Sequence, residues 1–426
     1  MQKKARGITR RELVKKTTPL LLALKTLSQQ TLANPNYELP PVRTLTHGPK
    51  YHWFGYYDKL QFNPSGQFVL GMEVDFEHRS PEPNDVIKIG MVDLQDGDKW
   101  IELGETRTWC WQQGCMLQWR PGSNTEILWN DRHKDRFVCR ILDVETRNLR
   151  TIPHPIYTVS PDGRWAVAPD FRRLSDMRSA YGYPGLDDPH SHILAPKDSG
   201  IFRVDLETGS QELLITLDEV AQIPMPNVDL AKAKSYFNHL LISPDSTRLI
   251  FLHRWGFPKF VGATRMFTAN QNGSDLRVID PSGHTSHFIW RDPEHILAWT
   301  KPEGKPWGFY LYQDKENGTV EIVGEGVMKE NGHCTYLPGG NWILNDTYPD
   351  QERDQHVYLY HVGTKRRVPL GRFFSPPEYT REGRVDTHPR FSPNGQSVVI
   401  DSPHTGEGRQ LHLIDLRGII DMGTYT

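Results

Sequence analysis

The stretch FNHLLISPDSTRLIFLHRW, residues 237–255, decides the fold of this chain. Two apolar runs flank the turn signal SPDS, a pattern that predicts a β-hairpin. The hairpin carries His239 near its start and His253-Arg254 near its end. Six variants of it occur elsewhere: LQFNPSGQFVLGMEV, LQWRPGSNTEILWND, YTVSPDGRWAVAPDF, FIWRDPEHILAWTK, TYLPGGNWILNDTY and PRFSPNGQSVVIDSP.

The hairpins recur at intervals of roughly 40–60 residues, the spacing of propeller blades. A third apolar run follows each hairpin, and a short fourth run follows all but the last. The stretch PVRTLTHG (residues 41–48) has no hairpin of its own and can supply the missing strand. The sequence therefore predicts an all-β fold over residues 37–420, a seven-bladed β-propeller of four-stranded blades. The N-terminal strand closes the ring and removes an exposed edge.

Two segments interrupt the repeat. Residues 174–198 lie between the second and third strands of blade 3, and a helical stretch over residues 217–237 precedes blade 4. Long loops on a regular scaffold commonly carry function.

Composition excludes some classes of partner. The chain has 426 residues and a formal net charge of −2, so bulk charge gives no reason to expect nucleic acid binding. The 12 Trp, 16 Tyr and 17 Phe residues suffice for a core and for stacking on sugars. The spacing of the four cysteines matches neither a metal-binding CxxC motif nor a disulfide framework.

Residues 1–36 differ from the rest of the chain. Thr9-Arg10-Arg11-Glu12-Leu13-Val14-Lys15 resembles a twin-arginine export motif, which predicts a removable signal and a periplasmic or secreted protein. Lys25 interrupts the apolar run that follows, so a basic amphipathic extension of a cytoplasmic protein is the alternative. No stretch is long and apolar enough to predict a membrane span.

Four histidines occupy one register on successive hairpins: His239, His287, His333 and His388. Neutral imidazole is a common ligand for zinc and related ions. We expect His287, His333 and His388 to hold a divalent ion, with zinc, manganese and calcium as the candidates. The alternative is that these side chains hydrogen-bond the channel wall or a buried water.

The starts of first strands and the ends of second strands meet at one mouth of a propeller. Arginine binds carboxylate or sulfate with two parallel hydrogen bonds, and aromatic faces suit sugar rings. In this chain those strand ends are rich in Arg, His, Tyr and Trp. This composition predicts an anionic polysaccharide or oligosaccharide as the substrate. The residues expected to bind it are His52, Gln113, Tyr181 and Arg254.

Three longer motifs carry a family resemblance: NHLLISPD with HRW, IYTVSPDGRWAVAPDFRRL followed by YGY, and HPRFSPNG. They resemble the seven-bladed propeller polysaccharide lyases of the ulvan lyase and rhamnose–glucuronate lyase type, and more distantly oligogalacturonate lyase. The likeness spans roughly residues 40–418. It implies cleavage of a uronate-containing polysaccharide by β-elimination, with sulfated ulvan-like polymers among the candidate substrates.

The resemblance also implies roles for individual residues. Arg173 and His239 would neutralise the uronate carboxylate, and His133 and Tyr157 would be the base and the acid in either order. The chain departs from the family at Gln113, where a further histidine is expected, and a glutamine cannot move a proton at neutral pH.

Two other functions remain compatible with the sequence. A non-catalytic carbohydrate-binding propeller would keep the aromatic and arginine-rich mouth without needing His133 or Tyr157. A periplasmic interaction propeller would not depend on the histidines. A monomer is expected in each case.

Overall fold

The computed structural model describes residues 38–226, 228–257 and 260–420. The chain divides into two compact units, Met1–Leu39 and Pro40–Thr426. Nearly all of the first unit, including the predicted export signal over residues 1–36, lies outside the described residues, so that assignment stays a prediction.

The second unit is a β-propeller of seven antiparallel four-stranded sheets, as predicted. Blades 1 to 3 contain β2 (Tyr51–Trp53), β3 (Phe68–Val74), β4 (Ile87–Asp93) and β5 (Lys99–Thr106); β6 (Gln118–Trp119), β7 (Glu126–His133), β8 (Arg136–Asp143) and β9 (Leu149–Ile152); and β10 (Thr158–Val159), β11 (Trp165–Pro169), β12 (Gly200–Asp205) and β13 (Gln211–Thr216). Blades 4 and 5 contain β14 (Lys234–Ile242), β15 (Arg248–Phe257), β16 (Phe260–Asn270) and β17 (Arg277–Gly283); and β18 (Phe288–Asp292), β19 (His295–Thr300), β20 (Gly308–Gln313) and β21 (Val320–Val323). Blades 6 and 7 contain β22 (Thr335–Tyr336), β23 (Trp342–Asn345), β24 (Asp354–His361) and β25 (Arg366–Phe374); and β26 (Arg390–Phe391), β27 (Ser397–Ser402) and β28 (Gln410–Asp415) with β1 (Val42–Thr44) as the outer strand.

The N-terminal strand closes the ring. β1 pairs antiparallel with β28, with Val42 opposite Ile414 and Thr44 opposite His412. The outer edge of blade 7 is thereby covered by a strand from the other end of the unit, which confirms the predicted closure.

The apolar runs of the hairpins form the core because both faces of a blade pack against neighbouring blades. In β15, residues 249–252 are all fully buried, although successive side chains point to opposite faces of the sheet. This explains why the second strands read as continuous apolar runs.

The inner strand of blade 1 differs from the prediction, which began it at Leu60. β2 pairs with Met72–Val74, the C-terminal part of β3. Further along the hairpin, the pairing continues as an isolated bridge between Phe62 and Val69. Residues 54–59, named here the central segment, leave the strand between these two points. The segment packs so closely against blade 2 that a Cβ on Gly55 would lie 2.9 Å from the backbone carbonyl carbon of Gln113, and Gly55 has a φ of +102°.

The two interruptions contain short helices. Helix α1 (Phe171–Met177) opens the blade 3 insertion, and the Asp170 carboxylate caps it. Before blade 4 the described residues form α2 (Leu217–Ala221) and a 3₁₀ helix (Leu230–Lys232), while Ser235–Phe237 belong to β14. The predicted helical stretch is therefore too long at its end, because Pro224 and Pro226 break it and β14 pairs with β15 instead.

A second 3₁₀ helix (Arg381–Gly383) precedes blade 7, and α3 (Arg417–Ile420) follows it. Among the described residues, none of the helices combines the length and the apolar character that a membrane crossing requires.

Candidate active site

The central segment lies on the propeller axis and contacts several blades. The Asp401 carboxylate of blade 7 accepts hydrogen bonds from the backbone N–H groups of Phe54 and Gly55 at 3.1–3.3 Å. The Tyr57 hydroxyl donates to the Phe288 carbonyl of blade 5 at 2.7 Å and accepts from the Phe288 N–H at 3.1 Å. These bonds fix the segment to blades 5 and 7.

His239 enters the same space from blade 4. It lies at a β-bulge in β14, where the register shifts between Asn238 and Leu240, and its φ is +52°. Such a conformation is costly for a residue other than glycine, and here the Asn238 side chain supports it by accepting a hydrogen bond from the His239 N–H at 2.7 Å. The imidazole stacks on Phe288 with ring centroids 3.9 Å apart. The bulge therefore holds the ring against the central segment.

A buried charge cluster surrounds His239. One oxygen of Asp58 lies 3.1 Å from His239 Nε2 and the other 2.7 Å from Lys59 Nζ. Burial alone would raise the pKa of Asp58, but the Lys59 charge and the His239 hydrogen bond outweigh it and lower the pKa to about 2. Burial lowers the pKa of His239 to about 4 against the opposing effect of Asp58, and the charges of Lys59 and Arg254 add to the lowering. His239 is therefore a neutral imidazole at physiological pH.

The other three histidines of the predicted register form a second group, named here the histidine cluster. The ring centroids of His287 and His333 are 4.2 Å apart, as are those of His333 and His388. The Nδ1 atoms of two of them have partners: His333 bonds the Asp346 carboxylate at 3.0 Å, and His287 bonds Asn331 Oδ1 at 3.0 Å. Those bonds leave the Nε2 atoms as the nitrogens available to a ligand.

The histidine cluster fits a divalent metal ion. The possible ligand atoms of His333, His388 and Asp386 all lie within 4.8 Å of one another. His388 Nε2 is buried with no hydrogen-bond partner among the described residues, which is costly for a polar atom unless a ligand satisfies it. The structure therefore groups two predicted ligands, His333 and His388, with Asp386, which was not predicted. The third predicted ligand, His287, lies beside His333.

Burial and neighbouring positive charge lower the pKa of His287 and His388 well below the usual value, so both are neutral and able to coordinate. A carboxylate with neutral imidazoles is a donor set used for manganese, zinc and iron.

Three arginines, named here the arginine cluster, lie beside these groups: Arg178, Arg254 and Arg384. The Arg178 guanidinium lies 3.8 Å from the ring centroid of Tyr181, and Arg384 Nη2 donates to the Tyr181 hydroxyl at 3.4 Å. Arg384 also pairs with Asp386 at 2.8 Å, which joins this cluster to the histidine cluster. Tyr181 therefore lies between two positive charges, as expected for a residue near an anion.

Arg254 has no hydrogen bond or ion pair within the part of the chain that the structure describes, and its Nε atom is fully buried. Burial, followed by the like charge of Arg178, lowers the pKa of its guanidinium. A partly buried cation without a partner costs free energy that an anionic ligand can recover. The arrangement is an anion-binding site.

Two further predicted residues meet beside the charge cluster. Gln113 Nε2 donates to the Tyr157 hydroxyl at 2.8 Å, and Gln113 Oε1 is buried without a partner. Lys59 Nζ lies 4.7 Å from the Tyr157 ring centroid. Burial raises the pKa of Tyr157 well above the usual value, so its hydroxyl keeps its proton and can act only as a donor to a ligand.

Arg173 has a different environment from the one expected. It is 2% exposed, and every N–H of its guanidinium is used within blade 3 and its neighbour. The acceptors are the carbonyls of Ser235, His190, Ile193 and Leu194 and the carboxylate of Asp188. Because no donor is left for a substrate carboxylate, the contacts do not support the role the family resemblance implies. Arg173 instead holds the 174–198 insertion onto blade 4.

His133 and His52 are not brought into this site. His133 is exposed at the turn between β7 and β8, and no contact joins it to Tyr157 among the described residues. His52 is buried between blades 1 and 7, where its nitrogens bond Gln410 at 2.9 Å and Glu73 at 3.2 Å. Neither position supports the predicted catalytic or substrate-binding role.

Sequence reasoning missed part of the site. Tyr56 and Asp58 belong to a polar and aromatic run, residues 52–58, that the sequence places at the mouth of the propeller. Lys59 carries no such signal, and Arg178 and Arg384 lie in irregular segments outside the repeat. The signal for Asp386 was its position two residues before His388. A periodic pattern cannot find such residues, because they leave the repeat to reach the axis.

Comparisons with known proteins agree on the fold. No protein-family model matches the chain, and no curated protein matches it significantly. Among solved structures, an oligogalacturonate lyase in complex with manganese aligns at a TM-score of 0.64 and 16% identity, covering 89% of this chain and 95% of the other. The oligogalacturonate lyase from Vibrio parahaemolyticus aligns at 0.62 and 17% identity, covering 93% and 97%. The chain therefore shares its seven-bladed propeller fold with these oligogalacturonate lyases, and the likeness to ulvan lyases and rhamnose–glucuronate lyases stays a prediction.

Proposed function

We propose that this protein is a lyase that cleaves a uronate-containing oligosaccharide or polysaccharide by β-elimination with the help of a divalent metal ion. The observation that carries the proposal is the meeting of three elements on the propeller axis. They are a buried neutral histidine, a metal-type histidine cluster and an unpaired arginine.

The reaction begins with loss of the proton on C5 of the uronate, which is only weakly acidic. Positive charge beside the carboxylate stabilises the anion that forms. The arginine cluster supplies that charge from Arg254 and Arg178, and Arg384 supplies more beside the histidine cluster. A divalent ion held by His333, His388 and Asp386, with His287 beside them, would add positive charge to the same region.

His239 is the proposed base. Asp58 occupies its Nε2 atom, so Nδ1 carries the lone pair. The free nitrogen lies 3.5 Å from the Tyr56 hydroxyl, in the space between the two clusters. This assignment replaces the pair of His133 and Tyr157 that the resemblance implied.

Tyr56 is the proposed acid. Burial raises the pKa of its hydroxyl well above the usual value, so it stays protonated until a more basic leaving oxygen approaches. Its ring contacts both His239 and His388, with centroid distances of 4.9 and 5.3 Å. Tyr157, whose hydroxyl is likewise protonated, remains the second candidate for this role.

The substrate class draws on the structural neighbours, which are named as lyases of oligogalacturonate. Sharing a fold with them does not fix the substrate. We therefore propose a uronate oligosaccharide, with galacturonate oligomers as the first to test and sulfated ulvan-type polymers as the second.

The test is a substrate panel. The purified protein is incubated with oligogalacturonate, polygalacturonate, glucuronan and ulvan, with added Mn²⁺ or with chelator, while ultraviolet absorbance of the C4–C5 double bond is followed. The proposal expects a rise with at least one uronate substrate and its loss in chelator. Saturable binding of a uronate oligomer without any unsaturated product would favour the non-catalytic carbohydrate-binding alternative.

A further inference from the structure

Asp58 and Lys59 are neighbours in sequence, and both charges are buried on the propeller axis. Their side chains are 0% and 2% exposed, and the side chain of His239 is 2% exposed. The two Asp58 oxygens are divided between Lys59 Nζ at 2.7 Å and His239 Nε2 at 3.1 Å. The three groups therefore form a chain of two contacts that ends on the proposed base.

The Asp58 contact fixes which nitrogen of His239 carries the proton. An ionised carboxylate only accepts hydrogen bonds, so Nε2 must be the donor. Tyr57 gives independent support, since its oxygen lies 3.4 Å from the same Nε2 while its own hydrogen is given to the Phe288 carbonyl. Both neighbours of Nε2 can only accept, which leaves Nδ1 as the free lone pair.

The Lys59 contact does not join distant parts of the chain. An ion pair between adjacent residues gives no cross-link, and Lys59 makes no other ion pair among the described residues. A buried pair of this kind is at best weakly stabilising. The remaining effect of Lys59 is on His239. A carboxylate that faces an imidazole without a balancing cation favours the imidazolium, which cannot accept a proton.

We propose that Asp58 and Lys59 are positioning residues for His239: Asp58 selects the Nε2–H tautomer, and Lys59 balances the Asp58 charge so that His239 stays neutral. The catalytic consequence rests on the proposed lyase function, whereas the tautomer and charge of His239 are properties of the resting protein. The pairing resembles the logic of hydrolase triads, in which a buried carboxylate holds a histidine in one tautomer.

Other groups also act on His239 and must be kept unchanged in a test. The titratable or charged side chains that face it are Tyr56, Tyr57, Asp58, Lys59, Arg254 and His287. Among these side chains, the variants alter only Asp58 and Lys59.

The experiment is nitrogen-15 NMR of histidine-labelled, metal-free protein, with His239 identified by its absence in His239→Gln. We expect the Nε2–H tautomer for His239 in the wild type at neutral pH. Asp58→Asn is nearly isosteric and can present its amide to Nε2, so it should shift His239 toward the Nδ1–H tautomer. Lys59→Met should raise the pKa of His239, because the Asp58 charge is then unbalanced.

Activity supplies the second readout. With a substrate that the wild type cleaves, Asp58→Asn should lower kcat about 10²–10⁴-fold with little change in KM, by analogy with the loss caused by a wrong histidine tautomer. Lys59→Met should move the acidic limb of the kcat/KM profile to higher pH. The matched control is Lys234→Met, which removes the ion pair between Lys234 on blade 4 and Asp176 in α1. It should leave both readouts unchanged.

A wild-type His239 that carries its proton on Nδ1, or that is protonated at neutral pH, would overturn this inference even if the protein is a lyase. An Nε2–H tautomer that persists in Asp58→Asn, together with an unchanged His239 titration in Lys59→Met, would also overturn it. The proposed function fails separately, by absence of unsaturated products from a wild type whose NMR spectrum shows the expected tautomer.

Discussion

His239 Nε2 lies 3.1 Å from Asp58 Oδ2, across 181 residues of sequence. One residue comes from a bulge in blade 4 and the other from the central segment that leaves blade 1. Their contact shows how a repetitive fold makes an asymmetric site: blades 4 to 7 contribute histidines at one register, and the central segment occupies the axis beside them.

Replacing His239 tests the proposed base. His239→Gln should lower kcat about 10²–10⁴-fold, the range for loss of a general base, because the neutral imidazoles nearby belong to the histidine cluster that is proposed to hold the metal ion. Metal affinity should stay the same, since His239 is not in the histidine cluster. The measurements are steady-state kinetics and calorimetric titration with Mn²⁺. The control is His295→Gln on blade 5, whose imidazole bonds Asp292.

Asp346 orients the histidine cluster without belonging to the possible ligands. Asp346→Asn should weaken Mn²⁺ binding about 10–100-fold, the usual effect of losing a carboxylate that holds a metal-ligating histidine. The matched control on the same blade is Asp350→Asn, because the Asp350 carboxylate also bonds a histidine, His356, at 2.8 Å. Equal losses in the two variants would contradict a metal at the cluster.

Substituting Arg254 tests whether this residue binds substrate or stabilises the fold. Arg254→Met removes a partly buried cation that has no partner in the described residues, so the free energy of unfolding should be unchanged or rise. The affinity for a uronate oligomer should fall, by about 2–5 kcal/mol if the carboxylate pairs directly with the guanidinium. Denaturant unfolding and calorimetry measure the two effects. A large loss of stability with retained binding would refute the anion site.

Arg173→Met should behave in the opposite way. It removes five hydrogen bonds and leaves the Asp188 carboxylate buried, so a loss of about 3–5 kcal/mol in the free energy of unfolding is expected. Proteolysis should also become faster within residues 174–198, which Arg173 holds in place. An unchanged stability with abolished substrate binding would restore the role that the family resemblance implied.

The stability of the metal-free protein should depend on pH through His239. Its pKa is about 4 in the folded protein against 6.5 in the unfolded chain, so the unfolded chain binds more protons between these values. The free energy of unfolding therefore decreases as the pH falls from 6.5 to 4, by about 3 kcal/mol from this residue. Denaturant unfolding at a series of pH values checks this. His239→Gln should flatten part of the dependence, and the exposed His133→Gln should not.

The sequence contained most of the fold and part of the site. The hairpin repeat and the spare N-terminal strand predicted seven blades and their closure, because strand periodicity and turn chemistry are local properties. The register of His287, His333 and His388 predicted their grouping for the same reason. Gln113 and Tyr157 also meet, as first strands of neighbouring blades must.

What the repeat does not encode could not be predicted in this way. Arg173 matches a family motif, but its hydrogen-bond partners come from an insertion whose path depends on tertiary packing. The central segment and Arg384 reach the axis from irregular backbone, so no spacing rule places them beside His239. The export signal, the absence of a nucleic acid partner and the monomeric state remain predictions.

Cleavage of the glycosidic bond by elimination is tested by mass spectrometry of the products from a galacturonate oligomer, digested with Mn²⁺ present in water labelled with heavy oxygen. We expect an unsaturated product that contains no label from water, formed by the wild type and lost in His239→Gln. Labelled, saturated products would mean hydrolysis, and an intact oligomer across the uronate panel with folded, metal-loaded protein would contradict the proposed lyase function altogether.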